Sequence, residues 1–266
     1  MNEAELLFTD ILNCSRPSLY LDKDTPLDKA QSYFVSGVLK RRIKGEPIQY
    51  ILGKAEFMGL EFKLAPDVLI PRPETEILVE KTIEMARSPE VAARSILDIG
   101  TGSGCIAVSL AKNLPGVEIT AVDICEKAIK IARRNALLNN VKINFLKSDL
   151  FDNRQLKADN YGIIVSNPPY IPAAEIDALQ PEIKYEPRLA LDGGKDGLDF
   201  YRRIINSAHL YLKENGLLIM EIGFNQKEAV KNIFKVCGYF EIIDEVKDYN
   251  NIDRIVIAKK RERTNG

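Results

Sequence analysis

SILDIGTGSGCIA, residues 95–107, runs from an apolar strand through a glycine-rich turn into a helix. Gly100, Gly102 and Gly104 let the backbone turn sharply and come close to a ligand, where a Cβ would collide. Downstream the alternation of apolar strand and helix continues. VEITAVD (117–123), KINFLKSD (142–149), YGIIVSN (161–167) and GLLIMEIG (216–223) read as strands, with EKAIKIARRNALL (126–138) and NQKEAVKNIFKVCG (225–238) among the intervening helices. Continuous apolar strands separated by helices imply a parallel sheet covered on both faces. FEIIDEV (240–246) and DRIVIAKK (253–260) follow one another too closely for a parallel crossover, so they are expected to pair antiparallel. The expected fold is α/β, with a Rossmann-like seven-stranded sheet.

Upstream of the sheet the pattern is different. Leu6, Leu7, Ile11 and Leu12 lie at helical spacing. Thr25-Pro26-Leu27-Asp28 resembles a capped helix start, and Gly45 and Pro47 end that helix after about Lys44. From Gln49 to Ile70 β-rich stretches broken by glycines predict a hairpin or linker. After Pro73 a helix is expected, with Ile77, Leu78, Ile83 and Met85 as apolar positions. The expected division is a small helical substrate-recognition domain with its hairpin linker over 1–72, and the sheet domain over 73–266.

Composition excludes some roles. The 37 basic and 38 acidic residues nearly cancel, whereas a chain living on nucleic-acid backbones shows a basic excess, so no direct nucleic-acid binding is expected. Four scattered cysteines and one histidine supply no clustered ligand set, so no metal site is expected. The acidic amino terminus lacks the order of a signal peptide, and no apolar run approaches the roughly 20 residues of a membrane span. A soluble, cytoplasmic protein is expected. His209 reads as a packing or surface residue, and the tail KKRERTNG as a frayed terminus.

The ligand is read from two acids. Asp123 ends the second strand, nineteen residues after Gly104, in the range where a carboxylate accepts from ribose hydroxyls. Dinucleotide sites usually show GxGxxG, with a helix amino terminus facing a pyrophosphate. Here the loop is GxGxG and Asp98 precedes it. An acid suits a ligand carrying an ammonium and a sulfonium, which favours S-adenosylmethionine over NAD.

SNPPY, residues 166–170, ends the fourth strand, and ligands of open α/β sheets sit beyond the carboxyl ends of the strands. A planar amide or amino nitrogen is a poor nucleophile because its lone pair is delocalised. Two acceptors aimed at its N–H groups raise its electron density and pin it in line. The Asn167 side-chain oxygen and the Pro168 carbonyl are candidates. Consecutive prolines, Pro168 and Pro169, restrict the backbone that carries both. Tyr170 offers an aromatic face for a flat substrate group. The alternative reading of the same four residues is a rigid loop ending a strand.

IPRPETE (70–76), DIGTGSGCIA (98–107), SNPPYIP (166–172), YEPRLALDGG (185–194) and DGLDFYRRI (196–204) together resemble the release factor glutamine methyltransferase family. The resemblance covers nearly the whole chain. It implies a class I S-adenosylmethionine-dependent methyltransferase domain behind a small helical domain and linking β-hairpin, acting on the GGQ glutamine of peptide chain release factors. It further implies that Gly100, Thr101, Gly102, Ser103 and Gly104 cradle the methionine part of the donor, that Asp123 holds the ribose, and that Asp149 and Leu150 border the adenine. Asn167 would touch both donor and glutamine amide, with Pro168, Pro169 and Tyr170 completing the slot. Family members can carry a tryptophan where Leu150 stands; leucine packs on adenine but cannot stack. Arg72, Glu74 and Glu76 read either as polar contacts on an active-site wall or as a solvated helix start. Two other functions remain open at this point. NPPY is shared with adenine-N6 methyltransferases of nucleic acid, and the fold could also serve as a non-catalytic binding module.

Overall fold

The computed structural model describes residues 2–21 and 25–262. Helix α1 (Glu3–Ile11) opens with a reciprocal cap: the Asn2 side chain accepts from the Glu5 amide at 2.9 Å, and Glu5 accepts from the Asn2 amide at 3.0 Å. After α2 (Arg16–Leu21), α3 (Lys29–Arg42) starts at the expected place, with Asp28 and Gln31 forming the same box. Lys40, Arg41 and Arg42 in its last turn suit the negative end of the helix dipole. Leu7, Val38 and Ile48 join these helices and α4 (Ile48–Leu52) in a small core of their own.

The hairpin is shorter than the sequence implies. Gln49–Leu52, expected in the β-rich stretch, belongs to α4, which Gly53 ends in a left-handed conformation at φ 71°. Strands β1 (Lys54–Phe57) and β2 (Leu60–Lys63) then pair antiparallel through Met58 and Gly59, at φ 52° and 69°. Two successive positive φ values give the turn that matches strand twist. Phe57 and Phe62 meet edge to face at 6.1 Å and sink into the main core.

The remaining elements are α5 (Pro73–Arg87), β3 (Ser95–Ile99), α6 (Cys105–Asn113), β4 (Glu118–Asp123), α7 (Glu126–Leu138), β5 (Asn144–Lys147), β6 (Tyr161–Ser166), α8 (Asp199–Ala208), β7 (Leu212–Glu221), α9 (Lys227–Cys237), β8 (Phe240–Lys247) and β9 (Asp253–Lys260). Strand order is β5-β4-β3-β6-β7-β9-β8, parallel except that β9 lies antiparallel to both its neighbours. The sheet is thus the expected seven-stranded one, and the last two strands pair as expected. Alternate residues feed two cores: Ile96 and Ile163 face α5, α6 and α7, while Leu97 and Ile164 face α8 and α9. From β3 the chain builds outward through β4 and β5, and from β6 it builds the other way. The carboxyl ends of β3 and β6 therefore flank a crevice.

Other expectations shift in detail. β7 begins at Leu212, four residues before the reading; Asn215 at φ 61° and a register shift opposite Tyr161 and Ile163 interrupt it. Lys259 and Lys260 are not tail but β9, and Lys260 Nζ reaches Asp159 at 2.9 Å and the Leu212 carbonyl. Residues 263–266 of the expected frayed terminus lie outside the described residues. His209 caps α8 and stacks on Tyr239, ring centroids 3.8 Å apart. Among the described residues no helix is long and apolar enough to cross a membrane.

Candidate active site

A cavity of about 350 Å3 opens at the crevice. Ile99, Gly100 and Gly102 form its floor, Asp123 to Cys125 one side, and Ser166 to Pro169 another. The glycines do different jobs. A Cβ on Gly100, at φ 75°, would point into open space, so that position leaves room for a ligand. Gly104, at φ 83°, would put a Cβ 3.0 Å from Ala132 of α7; it serves helix packing rather than ligand approach. Thr101 and Ser103 are buried, and neither they nor Gly104 lie on the cavity wall.

Two carboxylates stand here, Asp123 on the cavity wall and Asp98 behind it. Asp123 accepts from the Gly102 amide on one oxygen and the Cys125 amide on the other, both at 2.8 Å. Each oxygen keeps a lone pair for a further donor. Burial raises its pKa despite these bonds. Asp98 is fully buried, neither of its oxygens has a hydrogen-bond partner, and burial pushes its pKa up to about 7.

The far wall comes from Ser148, Asp149 and Leu150 and from Phe200, Arg203 and Ile204 of α8. Asp149 is bridged to Arg203 at 2.8 Å, and the guanidinium of Arg203 lies 5.8 Å from the Phe200 ring centre. Phe200 was not singled out from the sequence, yet it gives this wall the aromatic face that Leu150 lacks.

At the end of β6 a buried chain of hydrogen bonds fixes Asn167. Its Nδ2 donates to Thr75 Oγ1 at 3.1 Å, and Thr75 in turn donates to Glu221 at 2.7 Å. Thr75 belongs to the first turn of α5 and Glu221 ends β7. Among the described residues nothing donates to Asn167 Oδ1 or to the Pro168 carbonyl. Tyr170 packs partly buried against the α8–α9 core and is absent from the cavity wall. Burial pushes its pKa up to about 12, and its carbonyl accepts from Gln226 at 2.8 Å. A Cβ on Gly193 would fall 2.8 Å from the Tyr170 Cα, so the glycines of the 193–197 stretch allow that loop to lie on the NPPY strand.

IPRPETE resolves into fastenings. Arg72 is paired with Glu186, whose other oxygen accepts from the Ile70 amide at 3.1 Å. Glu76 accepts from the Met58 amide at 2.6 Å and so pins the hairpin turn. Asn135 of α7 does likewise, meeting both backbone groups of Lys63 and the Ser103 carbonyl at 2.7–3.0 Å. Arg72, Glu74 and Glu76 are all off the cavity wall.

With this geometry in hand, comparison with known proteins is informative. Profiles described as PrmC N-terminal domain and methyltransferase small domain match residues 1–53 and 74–183. The release factor glutamine methyltransferase of Geobacter sulfurreducens is 46% identical, the alignment covering 96% of this chain and 87% of that protein. The protein of the same description from Thermodesulfovibrio yellowstonii is 43% identical over 98% and 92%. The chain belongs to the release factor glutamine methyltransferase family. Among solved structures, the T. thermophilus 16S rRNA N2 G1207 methyltransferase in complex with AdoMet and guanosine has a TM-score of 0.53 at 20% identity, covering 78% of this chain and 50% of that one. That likeness concerns the fold alone. In this release factor glutamine methyltransferase family member, then, contiguous motifs marked the cavity floor. The supports came from single residues that no reading had singled out: Glu186 and Phe200 inside the quoted motifs, Asn135 and Glu221 outside them.

Proposed function

We propose that this chain transfers a methyl group from S-adenosylmethionine to the side-chain nitrogen (N5) of the glutamine in the GGQ tripeptide of a peptide chain release factor. The observation that carries the reading is the pair of idle acceptors, Asn167 Oδ1 and the Pro168 carbonyl, on a rigid two-proline corner beside the cavity. A primary amide has two N–H groups, and two acceptors match it.

The residues present fit the donor. Asp98 lacks a partner and suits an ammonium close by; Gly100 leaves space; Asp123 keeps lone pairs for ribose hydroxyls. Asp149, Leu150 and Phe200 offer polar and flat contacts for a base. S-adenosylmethionine bound there supplies a methyl group made electrophilic by its sulfonium. Asn167 and Pro168 would hold the amide nitrogen and draw its N–H bonds, raising electron density where the C–N bond forms as the methyl–sulfur bond breaks and S-adenosylhomocysteine leaves. The nitrogen becomes acidic as it is alkylated and sheds a proton to solvent, so no strong base is required. Positioning and charge arrangement carry the rate. Pro169 keeps the corner stiff, and Tyr170 supports the slot from beneath rather than lining it.

The test is methyl transfer from labelled S-adenosylmethionine to a release factor, with duplex DNA and structured RNA in parallel. Label on the release factor alone is expected. Label on adenine in the nucleic acids, with none on protein, would put the adenine-N6 reading in its place.

A further inference from the structure

We infer that Glu221, acting through Thr75, holds the Asn167 side chain in the one orientation that offers its oxygen to the acceptor nitrogen. The inference deepens the glutamine-methylation reading and rests on it. An asparagine amide is nearly symmetric in shape, and its two ends differ only in whether they donate or accept. Something must tell it which end faces the substrate. If the NH2 end faced a glutamine amide, donor would meet donor, and nucleophile activation would be lost.

The chain of bonds settles the direction by proton counting. The Thr75 hydroxyl has a single hydrogen. While Glu221 is ionised it can only accept, so that hydrogen goes to Glu221 at 2.7 Å. Thr75 Oγ1 is then an acceptor toward Asn167, and the Asn167 NH2 turns to it at 3.1 Å. Oδ1 is left pointing the other way, with no donor among the described residues. When Glu221 takes up a proton the logic reverses. Its O–H can donate to Thr75, freeing the Thr75 hydrogen for Asn167 Oδ1 and favouring the flipped amide.

Glu221 is placed to exert this control. Its side chain is buried, as is Thr75, so water does not compete for the bond between them. The charged and titratable groups that face it come from several elements: Arg72 and Glu74 at the entry to α5, Arg254 of β9, Cys105 of α6, Tyr170 and Tyr201. Arg72 is already paired with Glu186, and Arg254 with Asp248 at 2.9 Å. Neither cancels the burial that pushes the Glu221 pKa up to about 7. Glu221 is a positioning residue; it touches neither partner of the reaction.

The experiment compares Thr75→Val, Thr75→Ser and Glu221→Gln in methyl transfer to a release factor, with donor affinity measured separately by calorimetry. Thr75→Val removes the hydroxyl at nearly constant shape, and kcat should fall about tenfold or more with donor affinity little changed. Thr75→Ser restores the hydroxyl and should restore most of kcat. The kcat of the wild type should rise with pH through about 7, and Glu221→Gln, which cannot ionise, should abolish that rise. Thr75→Val with wild-type kcat overturns the inference, as does a loss of donor affinity equal to the loss of kcat. Should Thr75→Val fail to fold, the profile of Glu221→Gln decides: a limb identical to that of the wild type overturns it. In each case the wild type remains active. A wild type that transfers no methyl to a release factor overturns the functional reading itself, and this inference with it.

Discussion

On the proposed function Asn167 and Asp123 divide the work between acceptor and donor, and single substitutions separate them. Asn167→Ala removes one of the two idle acceptors, and kcat should drop by about 10²-fold or more, the usual loss for one pre-aimed hydrogen-bond partner. Steady-state turnover with a release factor measures it; near-normal kcat would contradict the assigned role. Asp123→Ala should instead weaken donor binding, read by titration calorimetry, with unchanged affinity contradicting the ribose contact. That both residues line the cavity was legible in the sequence, because each stands at the carboxyl end of a strand of an open α/β sheet. Thr75 and Glu221 were not. They lie 146 residues apart in the chain, and only the packing of α5 against the end of β7 brings them together. Tyr170 was legible as part of NPPY, but the sequence could not tell that its ring turns inward, because the glycines that receive its backbone lie more than twenty residues on.

Helices and strands follow the same division between local and long-range causes. α3 begins where its cap says, since Asp28 and Gln31 satisfy each other within one turn. α4 defeats the reading because Ile48–Leu52 is a short apolar run rich in β-branched and aromatic side chains, which periodicity cannot distinguish from a strand. Gly53, leaving it in a left-handed conformation, was the available signal. The glycine loop offers a sharper contrast. Gly104→Ala combines a left-handed φ with a Cβ against the Ala132 backbone at 3.1 Å, and should destabilise the fold by about 1–3 kcal/mol. Thermal or denaturant unfolding checks this. A variant as stable as the wild type would show that α6 and α7 can separate without loss, contrary to the packing role.

At the level of the whole molecule, buried carboxylates should make stability and activity move in opposite directions with pH. Asp98 and Glu221 are each pushed up to about 7 by burial, from ordinary values of 3.8 and 4.5. Through this window the native protein holds protons that the unfolded chain has released. Stability is therefore greatest near the unfolded values and lost as pH rises through about 7. Without donor, the melting temperature should rise as pH is lowered from about 8 to about 6, while kcat falls as Glu221 takes up its proton. A melting temperature flat across that range would contradict the burial of these groups in solution. Donor binding should blunt the effect by giving Asp98 a partner. The parallel sheet and its antiparallel last pair were readable in advance because strand composition and connection length restrict them. The clasping of the hairpin by Glu76 and Asn135 was not, since their partners Met58 and Lys63 lie 18 and 72 residues away along the chain.

The most direct test of the account is tandem mass spectrometry of a release factor after incubation with this chain and S-adenosylmethionine. One added methyl on the side-chain nitrogen of the GGQ glutamine is the predicted result, and a release factor with that glutamine replaced should stay unmodified. Methyl found on another residue, or found equally on both proteins, would contradict it.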